Sequence, residues 1–197
     1  MERHMYTHYV LRAAVIAGDV ANYCDHVEHN EDADRQIIRD AGCALRELAC
    51  EIAANEGVDL KVAYANRLRM IESANVLFAE TPYDGGADAE AAVTWRDLQL
   101  VQARHDRAFH PDVVGMHKGE QLRHYTLHLA KIVAALSRRA ESSSVEREIL
   151  ERRLPDLLLF GIKLSTVTGE CLSSDALRSG GMPRSEQVNS TAPALAA

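Results

Sequence analysis

Across residues 120–172 apolar residues recur every three or four positions in two runs, 122–136 and 145–168, separated by a Ser-rich turn and closed by Gly169. Apolar residues at that spacing fall on one side of an α-helix, so the stretch predicts a helical hairpin. Pro155 lies inside the second run, where its ring removes a donor and crowds the preceding turn. A kink, or a helix beginning near Arg153, follows. In the same run Asp156 heads the segment DLLLFGIKL, an almost unbroken apolar stretch. Burying a lone carboxylate is costly, so Asp156 must cap a helix start, pair with Arg152, Arg153 or Lys163, or meet a ligand.

The remaining segments also read as helices. Residues 7–26 place Val10, Ala14, Ala17 and Ala21 on one side, with Gly18 small enough for close helix approach. The polar connection that follows carries Asp32 and Asp34 as N-cap candidates; it lacks the alternation and central glycine of a calcium loop. Residues 35–55 repeat Ile38, Leu45, Leu48 and Ile52, with Gly57 as a stop signal. Asp59 is positioned to cap a third helix, 60–78, inward through Val62, Ala65, Leu68, Ile71 and Val76, with Lys61, Arg67, Arg69 and Glu72 outside. Pro, Asp-Gly and Gly-Gly signals mark a linker at about 80–86. A fourth helix, 87–109, turns Trp95, Leu98 and Val101 inward and ends at His110-Pro111. A short helix is expected around 174–179, and a disordered tail over 180–197.

The expected architecture is therefore all-α, a single domain over residues 1–179 with about six helices. Hydrophobic residues make up 47% of the chain and the net charge is −7. An acidic chain is a poor general nucleic-acid binder, because that affinity rests on basic clusters. No window reaches the length of a membrane span, and the first residues lack a signal peptide's apolar core. A cytoplasmic protein is the expectation. The four cysteines, Cys24, Cys43, Cys50 and Cys171, show no CxxC spacing, and read as buried thiols rather than ligands or disulfides.

Laying the first helical pair on the last without gaps gives a constant offset of 112 residues. Gly57 falls on Gly169, Leu60 on Leu172, Leu45 on Leu157, Leu48 on Phe160 and Ile52 on Leu164. Two units, about 9–79 and 118–179, would then be related antiparallel hairpins packed as a four-helix core. The ending Asn55-Glu-Gly-Val-Asp-Leu60 and the run 154–169 followed by Leu172 resemble the MazG-like, all-α nucleoside triphosphate pyrophosphatases. In that family two facing helices carry Glu-x-x-Glu and Glu-x-x-Asp, which hold magnesium because residues three apart share a helix face. The metal neutralises the triphosphate and activates water.

Placed by distance to the apolar runs, the family's motif positions fall on His128 and Lys131, and on Arg153 and Asp156, in the second unit. In the first unit they fall on Ile16 and Asp19, and on Ala41 and Ala44. Only Asp19 and Asp156 keep a carboxylate, with His128 as a third donor. The resemblance thus implies a degenerate site: a non-catalytic nucleotide-binding or protein-interaction module, in which Lys131 and Arg153 contact phosphate with Asp156 and His128 nearby.

Two alternatives stand beside that reading. One is a divergent pyrophosphohydrolase whose Asp19, His128 and Asp156 hold Mg or Mn. The other is a His-liganded metalloprotein: His124 and His128 have the i, i+4 spacing of two imidazoles aimed at one metal, and His105, Asp106, His110, Asp112 and His117 lie just upstream. Glu47 and Glu51 form a further i, i+4 pair, read as a solvated flank beside Leu48 and Ile52. Lys131, Arg138, Arg139, Arg152 and Arg153 read as an exposed stripe or a phosphate pocket. A nucleotide or other phosphate-bearing molecule and a second copy of the chain are the expected partners.

Overall fold

The computed structural model describes residues 2–29, 33–75, 83–141 and 149–177. Every regular element among them is a helix: α1 (Glu2–Glu28), α2 (Gln36–Glu56), α3 (Leu60–Ala74), α4 (Gly85–Ala91), α5 (Trp95–Phe109), α6 (Pro111–Val114), α7 (Lys118–Glu141) and α8 (Leu154–Thr168). The class is the expected one, but the helices number eight among the described residues rather than about six. Gly85 and Gly86, expected in the linker, begin α4, where Asp84 accepts from the Ala87 amide. The long fourth helix is divided because Thr94 and Asp97 form a reciprocal capping box that restarts it as α5. Residues 76–82, 142–148 and 178–197 contain Val76, most of the linker, the Ser-rich turn and the tail, and lie outside the described residues.

Helix ends follow the signals read in the sequence. Asp59 accepts a 3.1 Å hydrogen bond from the Val62 amide at the start of α3. Removing that cap by Asp59→Ala is expected to cost about 1 kcal/mol in urea unfolding, with no effect on helix content. Gly57 and Gly169 end α2 and α8 in the left-handed region, at φ 65° and 76°. In each case the amide beyond the glycine returns to the last turn, Val58 to the Ala53 carbonyl and Glu170 to the Ser165 carbonyl. At Pro155 the chain makes a π-turn over Ile149–Arg153, and α8 starts afresh at Leu154.

α8 is the hub. Every residue from 154 to 165 is buried, as a helix apolar on all sides requires. It packs against α2, α3, α5 and α7, while α1 packs on α7 and α2. The α2–α8 crossing is close because Gly42 and Gly161 meet there: a Cβ on Gly161 would lie 3.0 Å from the Gly42 carbonyl oxygen. Arg46 fastens the crossing by donating to the Gly161 carbonyl and to Ser165 Oγ, at 3.2 and 2.5 Å.

Several expectations are corrected, among them Val62, placed inward on α3 but 46% exposed. α1 buries Tyr6, Tyr9, Ala13, Ile16, Val20 and Cys24, whereas Ala14 and Ala21 face outward. The helix is apolar on two sides, and the rings and branched chains remove more surface from water than alanines do. Of the cysteines only Cys24 is buried; Cys43 and Cys171 are exposed, because Cys43 lies one position off the seam made by Gly42 and Ala49. The segment after α8 forms no helix at 174–177. It runs alongside the start of α5, bonded Arg96 amide to Ser173 carbonyl and Leu177 amide to Val93 carbonyl.

Candidate functional site

Two regions contain the residues singled out by sequence. The first is a groove of about 630 Å³ between α1 and α2. Ile16, Asp19, Ala41 and Ala44, the four positions to which the motif maps in the first unit, all line it, together with Leu11, Val15 and Ile37. The helices therefore bring these positions together, but the side chains there are one carboxylate, an isoleucine and two alanines. Asp40 adds a second acid on the wall.

In the second unit the mapped positions fall near α8. Asp156 is buried, and its carboxylate accepts from Arg67 Nε at 2.6 Å, with Arg153 Nη1 3.6 Å away. Arg67 had been placed on the exposed face of α3; it instead reaches inward to neutralise the one acid that α8 buries in its first turn. Lys131 is exposed, and His128 stacks on Phe160 with ring centroids 5.1 Å apart.

Around His128 lies a second polar cluster, built by α3, α5, α7 and α8. Lys163, seven residues along α8 from Asp156, pairs with Asp106 of α5 at 2.8 Å, both side chains nearly inaccessible. A relay leads away from that carboxylate: Gln102 Nε2 donates to Asp106 at 2.8 Å, and Tyr64 Oη donates to Gln102 Oε1 at 2.6 Å. The Lys163 ammonium also lies 5.6 Å from the ring centroids of Tyr125 and Phe160. Aromatic faces and one carboxylate thus hold a cation that the interior would otherwise reject.

Four imidazoles surround this pair. His124 and His128, one turn apart on α7, have ring centroids 4.8 Å apart, and those of His105 and His110 are 6.3 Å apart. Burial, reinforced by Lys131, His124 and Lys163, pulls His128 from the usual imidazole range to about 4. His105 falls to about 4 as well, again chiefly through burial, with Asp106 pulling the other way and Lys163 adding to the fall. Burial and Lys163 also lower His110 and His124. At neutral pH all four are neutral and keep one donor and one acceptor nitrogen each. His105 is fully buried, its ring meeting the Leu68 backbone and, 3.6 Å from Nε2, the Glu72 carboxylate.

The spacing of His124 and His128 had suggested one metal. Among the described residues no group of three or more His, Cys, Asp or Glu side chains is arranged to hold an ion. Of the basic stripe, Arg138 and Arg152 are exposed, while Arg139 is buried with its guanidinium 4.4 Å above the Tyr6 ring. Sequence reasoning missed Lys163 as the partner of Asp106. A lysine inside an apolar run does announce a buried counter-charge, but the helix that supplies it is set by tertiary packing. Comparison of the chain with protein-family models, curated proteins and solved structures returns no match.

Proposed function

We propose that the chain is a MazG-like helical module that binds a phosphate-bearing small molecule, such as a nucleotide, without a catalytic magnesium cage. The observation that carries this reading is the cluster at the α5–α7–α8 junction: Lys163 held in the interior by Asp106, with His110, His124 and His128 above it and Lys131 on the same helix as the last two. On an acidic protein this concentration of donors suits an anion. Neutral imidazoles take up protons as an anion approaches, so ligand and proton binding are coupled.

The groove between α1 and α2 supports the non-catalytic part. A magnesium cage needs several converging oxygen ligands, and at the mapped positions this groove offers only Asp19. In the other half Asp156 is engaged by Arg67 and Arg153. Duplication is supported by the matched glycine caps and by the offset of 112 residues, which lays α2 on residues 148–168, where the π-turn and α8 lie. α1 packs on α7 and α2 on α8, as counterparts would across a four-helix core.

Calorimetric titration with inorganic pyrophosphate and a panel of nucleoside triphosphates is the test. Binding is expected to be tighter at pH 6 than at pH 8, to take up protons, and to weaken about tenfold or more in a His128→Ala/Lys131→Ala double variant. With Mg or Mn present, no pyrophosphate should be released from the triphosphates. Release that disappears in Asp19→Ala or Asp156→Ala would establish the hydrolase instead. Absence of binding by every phosphate compound would remove the proposal altogether.

A further inference from the structure

α1 is apolar on two sides, and among the described residues the fold covers one. Opposite the buried side, Leu11, Val15, Gly18 and Asn22 follow at intervals of four, three and four residues, the spacing of a helix-pairing seam. Leu11 is 61% and Val15 64% exposed, and a Cβ on Gly18 would meet nothing within 4 Å. The seam borders the groove of about 630 Å³, whose opposite wall adds Ile37, Ala41 and Ala44. Leu11, Val15 and Ile37 give the groove an apolar centre rimmed by Arg12, Asp19 and Asp40, the arrangement of an interaction site.

Charge identifies the occupant. Arg12 and Asp19 are seven residues apart, so they occupy equivalent places on one flank of the seam, each directly following a seam residue. If a second α1 lies antiparallel across the first, with the twofold axis between residues 15 and 16, Arg12 of each copy faces Asp19 of the other. Arg12 already lies against Glu51 of its own α2, so the partner's carboxylate would extend that pair into a network. The equivalent surface of α7 lacks this complementarity. Leu127 is 65% exposed there, but an antiparallel copy centred on it would set Lys131 against the neutral His124, a register that forms no ion pair. We infer that the protein forms an isologous dimer in which α1 of a second copy occupies the α1–α2 groove, a closed twofold contact that uses one surface twice.

Light scattering coupled to size-exclusion chromatography of the full chain tests this. The native chain is expected to run at twice its own mass at micromolar concentration. Val15→Glu should run as a single chain with its helical circular dichroism retained. Asp19→Arg, which sets Arg against Arg12, should raise the dimer dissociation constant by about tenfold or more, and the native dimer should weaken with salt. Leu127→Glu should leave the dimer intact. A native chain that stays monomeric at every concentration would overturn the inference. So would a dimer that Leu127→Glu dissociates and Val15→Glu does not, because the contact would then lie on α7. Neither result bears on phosphate binding at the α5–α7–α8 cluster, which is measured separately.

Discussion

Lys163→Met is expected to lower the unfolding free energy by about 3–5 kcal/mol, the cost of leaving one member of a buried ion pair without its partner. The methionine fills the space of the lysine stem and loses only the ammonium. What remains is the Asp106 carboxylate, nearly inaccessible to water, with Gln102 donating to it at 2.8 Å. Urea unfolding of four proteins separates the contributions: native, Lys163→Met, Asp106→Leu, and the double variant. Each single change strands a charge, whereas the double change replaces both partners by apolar groups, which is often close to neutral. The double variant should therefore be more stable than either single one. If the costs of the two single changes instead add, Lys163 and Asp106 do not depend on each other, and the centre of the cluster is not an ion pair. The same variants separate structure from binding, because the double variant should fold yet bind pyrophosphate more weakly than the native protein.

The helical class and several helix ends were legible because their causes are local. Gly57 and Gly169 stop helices wherever the chain is placed, and Asp59 caps α3 with its own side chain. Pro155 divides its run for the same reason. The inward side of α1 was not legible, because Val10, Ala14 and Ala17 form as regular a stripe as Tyr6, Tyr9 and Ala13. Only packing against α7 and α2 decides between them. The site was legible in part. The histidines between residues 105 and 128 stood out as a cluster, and a carboxylate at the head of α8 had to find a partner. That the partner is Arg67, 89 positions earlier, and that Lys163 turns to Asp106 instead, depends on which helices surround α8. No spacing in the sequence encodes those neighbours.

Acidification from pH 7 should destabilise the protein steeply as the imidazoles of the unfolded chain take up protons. His105 is neutral in the fold down to about pH 4, whereas in the unfolded chain an imidazole takes a proton near pH 6.5. Above that value the two states bind equal numbers of protons and this group is silent. As pH falls through the window, the unfolded state gains a proton that the folded state refuses, so stability drops by about 1.4 kcal/mol per pH unit for each such group. For the fully buried His105 the loss reaches about 3 kcal/mol when the folded value is passed. His128 adds a smaller loss, being partly open to solvent, and His110 and His124 act in the same direction. Asp106 and the Glu72 carboxylate, 3.6 Å from Nε2, favour the His105 cation, but burial and Lys163 outweigh them, while Lys131 and Lys163 oppose protonation of His128. Asp112 favours the charged forms of His110 and His124 too weakly to reverse the effect of burial. Glu72 works the other way, since burial raises it and its protonation in the fold returns some stability at the acid end. Urea midpoints measured between pH 7.5 and 4.5 should fall continuously. His105→Phe, which keeps a ring against Phe109 but cannot take a proton, should flatten the slope by about one proton's worth. A midpoint unchanged from pH 7 to pH 5, or an unaltered slope in His105→Phe, would mean that these imidazoles reach water and protonate within the fold, contrary to their burial beside Lys163.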